Sequence, residues 1–236
     1  MFMFFCKHID AQKWLEKAKE IVNKTINKNT TTDSAVTEQE VGQGIKQALN
    51  QGVEQAIKFL NKTDGFFGNE VYKLFLPPDA QKIANTLKNI GMNKLVENAI
   101  LSINRAAEDA VGQATPIFIG AIKQITLTDV FNILKGPKNA ATNYFKEKTS
   151  DSLKAAFLPS VRTSLNKVGA TKYYKKSMDA YNRIPFVSKV NADLPSYVVD
   201  KAIFALFDQI EKEEANIRQN PLARTTDLLK KVFGLL

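Results

Sequence analysis

Apolar side chains recur along most of this chain at spacings of three and four residues, which is the period of an amphipathic α-helix. No stretch alternates apolar and polar residues for long enough to predict a sheet, and no fixed repeat is present. Short connections indicate a compact array of largely antiparallel helices, so the predicted fold class is all-α. The predicted helices cover 14–22, 37–61, 79–90, 92–111, 116–122, 129–135, 137–148, 150–168, 172–182, 195–220 and 226–233.

Residues with known roles at helix ends support several of these boundaries. Thr37 and Glu40 match the capping box, in which each side chain bonds the other's backbone N–H. Asp79 and Thr115 are predicted to lie at or near helix N-caps, since each adjoins a proline suited to a first turn. Residues 225–227 are expected to cap the last helix in the same way.

The N-terminal region differs from the rest of the chain. Residues 1–6 form a short apolar run, and Ala11-Gln12 follows after a polar segment. We expect residues 1–12 to be the remnant of an export signal cut near Ala11, which predicts a periplasmic or otherwise exported product. The alternative is an apolar helix start that packs on the body. Residues 13–36 then form a short helix and polar linker, and 37–236 a single helical domain.

Composition excludes several kinds of site from the exported product. The 236-residue chain has one cysteine and one histidine, Cys6 and His8, and both lie in the part predicted to be removed. No thiol or imidazole nucleophile, structural zinc site or disulfide is therefore expected. Glu211, Glu213 and Glu214 are interpreted as a solvated helix face rather than a metal site. We predict no catalytic residues, no metal and no cofactor.

The net charge of +9 would attract anionic lipid, acidic polymers or nucleic acid. Because lysines occur along every predicted helix, the sequence favours a soluble basic surface instead. Residues 173–176 interleave two tyrosines with two lysines, but no nucleic-acid-binding fold motif accompanies them, so nucleic acid is not the expected partner. No other apolar run approaches the roughly 20 residues that span a bilayer, which leaves only peripheral membrane contact open.

Several segments together resemble a family of exported bacterial proteins, domain of unknown function 4197. The resemblance covers about 41–234 and implies an exported, helical, single-domain protein, but it brings no catalytic residues. The segments that carry it are 64–69 (DGFFGN), 104–108 (NRAAE), 133–136 (ILKG), 140–145 (AATNYF) and 224–234 (RTTDLLKKVFG).

Asn104, Arg105 and Glu108 are candidate ligand-binding residues because their spacing places them on one helix face. Arg105 would clamp an anion, with Glu108 orienting it or serving as a general acid or base. The structural alternative is an ion pair that fixes helix register, and it is the favoured interpretation. We expect Arg105 and Glu108 to lie largely out of solvent, with Asp64 or Asp227 as alternative partners for the guanidinium.

Phe66 and Phe67 are the remaining candidates, in the glycine-flanked segment 64–69. Their rings would cover a ligand if the segment is a mobile loop, or would plug into the core if it is a turn. The segment lacks the spacing and the preceding strand of a phosphate-binding loop.

These observations give one leading functional hypothesis and two rivals. The leading hypothesis is a non-enzymatic binding protein for an apolar or amphipathic ligand, or for an envelope protein, in a groove between helices. The first rival is an envelope scaffold whose basic surface binds anionic lipid or glycan. The second is a hydrolase that uses carboxylates alone, which requires two close Asp or Glu residues in a cleft.

Overall fold

The computed structural model describes residues 37–167, 169–183 and 193–234, apart from a few side chains within helices. Every regular element in these ranges is helical, which confirms the all-α prediction. The predicted segments 1–12 and 13–36 lie outside the described residues. The α-helices are α1 (Glu38–Leu60), α2 (Pro78–Asn89), α3 (Asn93–Val111), α4 (Thr115–Gln124), α5 (Leu127–Lys135), α6 (Ala140–Lys167), α7 (Ala170–Asn182), α8 (Leu194–Gln219) and α9 (Asp227–Phe233). Short 3₁₀ turns at Gly112–Ala114 and Pro221–Ala223 precede α4 and α9.

Helix α6 is one continuous element, so the prediction of separate helices over 137–148 and 150–168 was wrong. The hydroxyls of Thr149 and Ser150 donate to the carbonyls of Phe145 and Lys146, at 2.7 and 2.5 Å. A hydroxyl bonded to the carbonyl one turn back is satisfied inside the helix, so the polar pair does not end it. Pro159 lies within α6, inside the range predicted as 150–168.

Helix caps agree with the sequence in part. Thr226 caps α9 by accepting from Leu229 N, as predicted. The N-cap of α2 is Pro77 and that of α4 is Ala114, neither with a side-chain cap, so Asp79 and Thr115 fall inside the first turns. A capping box that the sequence analysis overlooked starts α5, where Thr126 and Asp129 bond each other's backbone N–H.

Two helix pairs are antiparallel, as their contacts show. Glu214 near the end of α8 meets Ala141 at the start of α6, while Asp200 meets Lys154 further along α6. Helix α9 is antiparallel to α1, because Lys231 meets Glu40 while Thr226 meets Gln47. A Cβ on Gly44 of α1 would lie 2.7 Å from Val232 Cγ2, so the two helices approach closely because Gly44 lacks a side chain.

The core lies between α1, α3, α6 and α8, with α4 closing one side. Phe118 of α4 packs edge-on against Phe145 of α6 and Phe207 of α8, with ring centroids 5.0 and 6.2 Å apart. Edge-to-face rings at these distances add to the burial of apolar area. Among the described residues, no single helix is long and apolar enough to cross a membrane, and one bent pair, 93–124 with 127–135, passes that test only jointly.

Candidate functional site

The connection between α1 and α2 is a long irregular segment, 61–77, that lies against α3 and α8. Its first turn places Asp64 at φ 64°. A Cβ on Gly65 would lie 2.3 Å from the Leu60 carbonyl oxygen, so only glycine fits there. The local sequence therefore determines the turn, and side chains of α3 hold the remainder of the segment in place.

Glu108 is the main anchor of this segment. Its Oε1 accepts hydrogen bonds from the backbone N–H groups of Phe66 and Phe67, both at 3.1 Å. Its Oε2 accepts from Arg105 at 2.7 Å, and its backbone oxygen accepts from Asn61 Nδ2. The carboxylate is buried, as predicted, and is satisfied by backbone donors as well as by the cation.

Arg105 bridges two carboxylates. Its Nη1 donates to Glu108 and its Nη2 to Asp64, both at 2.7 Å. The hydrogen bond to Glu108 is the main reason that the pKa of Arg105 is raised above its usual value. The side chain is 29% exposed, so it lies largely out of solvent as predicted, but less completely than Glu108. Asp227 was a wrong alternative, because its fully exposed carboxylate pairs with Lys230.

Asn104 binds the same segment further along. Its Oδ1 accepts from Leu74 N and its Nδ2 donates to Leu74 O, both at 2.8 Å. The amide also donates to Ile100 O within its own helix. Asn104 is fully buried, and its amide satisfies the N–H and the carbonyl of Leu74, which would otherwise need a backbone partner. We call Asn104, Arg105 and Glu108 the α3 latch.

The adjacent aromatics occupy different environments. Phe66 is fully buried, and its ring centroid lies 6.4 Å from that of Tyr72, so its side chain packs in the core. Phe67 is half-buried between Lys73, 4.3 Å from its centroid, and Arg105, at 5.7 Å. The structure thus brings all five predicted residues together. Their contacts are with the chain itself, which supports the structural interpretation, and ligand binding by them stays a prediction.

Glu214 is a buried polar residue that the sequence analysis misjudged as part of a solvated face. Its carboxylate accepts from the backbone N–H groups of Ala141 and Thr142 and from the Thr142 hydroxyl, at 2.8–3.0 Å. Arg218, one turn later, donates to the same carboxylate at 2.8 Å. Glu214 therefore caps the N-terminus of α6 from another helix, where a negative charge is favourable. The i,i+4 spacing to Arg218 was its one signal in the sequence.

A small cavity of about 30 Å³ lies beside this ion pair. That volume is enough for roughly one or two water molecules and too little for a lipid chain. Apolar residues of α1, α5, α6, α8 and α9 line the rest of it. Within the described ranges, no group of three or more His, Cys, Asp or Glu side chains is placed to hold a metal ion.

Positive charge is concentrated in one segment of the chain, although lysines occur along nearly every predicted helix. Residues 152–183 contain seven basic side chains and one acidic one, Asp179. All seven basic side chains are exposed, on the second half of α6, on α7 and, for Arg183, at the C-cap of α7. Tyr174 is buried, so the tyrosine–lysine run at 173–176 presents its lysines rather than Tyr174 to solvent. We call this set the basic face: Lys154, Arg162, Lys167, Lys172, Lys175, Lys176 and Arg183.

Comparison with known proteins agrees with the resemblance seen in the sequence. The model of the family described as "Protein of unknown function (DUF4197)" matches residues 35–234, which include the α3 latch and the basic face. No curated protein and no solved structure matches the chain.

Proposed function

The chain belongs to this DUF4197 family, and we propose that it is an exported, non-enzymatic protein that binds the anionic surface of a membrane through its basic face. The observation that carries the proposal is the excess of seven exposed cations over one carboxylate in residues 152–183. The proposal is the scaffold hypothesis of the sequence analysis, now with a defined surface.

The charge pattern suits a headgroup surface. A juxtaposed lysine or arginine contributes about 1 kcal/mol to attraction by an anionic leaflet, and the attraction decays within a Debye length. Lys172, Lys175 and Lys176 follow one another on the exposed side of α7, where all three can approach a flat surface together. Several such contributions add up to binding without any pocket.

The described residues give less support to the leading sequence hypothesis, an apolar ligand between helices. The cavity beside Glu214 holds water-sized molecules only, and Phe66 fills the core instead of covering a ligand. A surface function is therefore favoured over an internal one.

Export is the second part of the proposal. It rests on the apolar run at residues 1–6 and on Ala11-Gln12, outside the described residues. Mass analysis of the protein from its native host should find a mature N-terminus close to Gln12 or Lys13. Retention of Met1 in that protein would contradict export by cleavage.

Charge reversal tests the surface directly. The variant Lys172→Glu/Lys175→Glu/Lys176→Glu should bind vesicles of equal parts phosphatidylglycerol and phosphatidylcholine about a hundredfold more weakly than the unmodified chain at low salt. A matched control reverses three exposed lysines elsewhere, Lys58, Lys123 and Lys138, with the same change in net charge.

Three outcomes decide the proposal. A large loss in the α7 variant and a small one in the control supports the basic face. Equal losses mean that total charge alone matters, which contradicts a specific face. Binding to a soluble anionic polysaccharide or to nucleic acid but not to vesicles would replace lipid as the partner.

A further inference from the structure

Three large apolar side chains are exposed on one side of the molecule. Phe75 is 54% exposed, Phe204 64% and Val71 69%. Phe75 and Val71 belong to the irregular segment 61–77, and Phe204 belongs to α8. We call these three side chains the apolar patch.

The segment that carries Phe75 is hydrogen-bonded to α8 at two points. The Tyr197 hydroxyl donates to the Phe75 carbonyl at 3.0 Å. The Tyr72 hydroxyl donates to Asp208 at 2.7 Å and accepts from Lys212 at 2.8 Å. Between these two ties, Asn104 holds both backbone groups of Leu74. Phe75 is therefore held outward by its backbone contacts.

Phe204 lies on the stripe of α8 that faces this segment. With about 100° between successive helical residues, Tyr197, Phe204 and Asp208 fall within about 40° of one another. Tyr197 and Asp208 both touch the segment, so Phe204 projects from α8 between the two points of attachment. The two elements thus place their phenylalanines on a shared surface.

The lysines and carboxylates around the apolar patch balance in number, so attraction to an anionic partner comes from the neighbouring basic face. Lys201 lies one turn before Phe204, with Nζ 5.9 Å from the ring centroid of Tyr197. Two nearby carboxylates are paired with lysines, Asp208 with Lys212 at 2.8 Å and Asp200 with Lys154 at 3.9 Å. Glu70 adds one further exposed carboxylate beside Val71.

The apolar patch adjoins the basic face at Lys154. Lys154 belongs to the basic face, and its ion pair with Asp200 joins α6 to the same part of α8 that carries Phe204. Exposed aromatic side chains beside lysines are typical of surfaces that enter the headgroup region of a bilayer.

We propose that Phe75 and Phe204 are apolar anchors that enter the interface of an anionic bilayer while the basic face contacts its headgroups. The inference rests on the function proposed above. Electrostatic attraction brings the protein to the surface, and burial of the two rings then holds it there. Part of the binding therefore persists when salt screens the charges.

The experiment compares vesicle binding of the full chain with that of Phe75→Ser/Phe204→Ser. Each exposed ring removed should weaken partitioning about tenfold, so the double variant should bind phosphatidylglycerol–phosphatidylcholine vesicles about a hundredfold more weakly. Leu222→Ser is the matched control, because Leu222 is 92% exposed and lies beyond the opposite end of α8. Every variant keeps the same N-terminal apolar run, so any contribution of that run to vesicle binding is equal in all of them.

A second measurement detects insertion directly. The variant Trp14→Phe/Phe204→Trp places the chain's one tryptophan in the patch, and lipids brominated on their acyl chains should quench it. Thermal unfolding of each variant checks that the fold is retained, since exposed rings contribute little to the core.

The outcomes separate this inference from the function on which it depends. Weak binding by the double variant, normal binding by Leu222→Ser and quenching at position 204 support the anchors. Full binding by the double variant, or no quenching, overturns the anchors and leaves membrane binding intact. If the unmodified chain binds no anionic vesicle, the proposed function itself fails.

Discussion

The contribution of the α3 latch to stability can be worked out from its contacts. Glu108→Ala removes the acceptor of two backbone N–H groups, of which Phe66 N is buried and Phe67 N partly so. An orphaned buried donor costs about 1–3 kcal/mol, and the lost bond to Arg105 adds to this. We expect Glu108→Ala to lower the free energy of unfolding by about 3–5 kcal/mol.

Arg105→Ala should lower the free energy of unfolding less than Glu108→Ala does. Removing the cation from a fully buried ion pair would ordinarily cost as much as removing the carboxylate, but this pair differs. Glu108 keeps both backbone donors when Arg105 is removed, so its charge is not stranded. Arg105 and Asp64 are both partly exposed, and solvent weakens their bond. We expect a loss of about 1–2 kcal/mol for Arg105→Ala. The double variant should cost less than the sum, because both single changes remove the same ion pair.

Urea denaturation followed by circular dichroism measures these differences, with unchanged denaturant dependence as the check on two-state unfolding. Asp64→Ala serves as a control for general loss of charge at the site. A Glu108→Ala variant that loses less than about 1 kcal/mol would refute the assignment of Glu108 as the anchor of the segment. Equal effects for Arg105→Ala and Glu108→Ala would show that the ion pair, rather than the backbone bonds, is what matters.

Four further substitutions test the packing and the caps. Gly44→Ala should lower the free energy of unfolding by about 1–2 kcal/mol, because Val232 leaves no room for a Cβ. Gly120→Ala has open space around the new Cβ, so in the same urea assay it should raise the free energy of unfolding by about 0.5–1 kcal/mol. Glu214→Ala should cost about 3–5 kcal/mol, because the first N–H groups of α6 lose their acceptor and Arg218 keeps only the carbonyls of Ile133 and Leu134. A neutral result would contradict the capping role of Glu214. Hydrogen bonds from the Ser196 hydroxyl and backbone hold the pKa of Asp193 below its usual value. Asp193 therefore stabilises the fold fully above the unfolded-state pKa near 3.9, and this stabilisation is lost as pH falls through the lowered pKa of the folded state. Asp193→Ala should therefore cost about 1 kcal/mol at neutral pH and nothing in strong acid, and a loss that is equal at both pH values would contradict this cap.

The sequence predicted the fold well wherever the determining information was local. Helical periodicity located α1, α3, α7 and α8 to within a few residues, because their buried stripes repeat within the element itself. The three-residue spacing of Arg105 and Glu108 predicted their ion pair for the same reason.

Local patterns failed where the partner lies far away in the chain. Glu214 was taken for a solvated charge because nothing beside it in the sequence indicates its partners. The groups that donate to its carboxylate are the first N–H groups of α6, more than seventy residues earlier in the chain. Glu108 likewise binds backbone groups of Phe66 and Phe67, a contact that side-chain chemistry does not encode. The basic segment 152–183 could have been found from the sequence, by counting charges across adjacent helices instead of helix by helix.

Membrane attachment through the basic face is the central claim, and a salt titration of the unmodified chain on phosphatidylglycerol–phosphatidylcholine vesicles tests it most directly. Because charged contacts of the basic face supply most of the attraction, the partition constant should fall steeply as ionic strength rises through the physiological range, and vesicles of phosphatidylcholine alone should bind poorly. Binding that is equal on neutral and anionic vesicles, or indifferent to salt, would contradict the account.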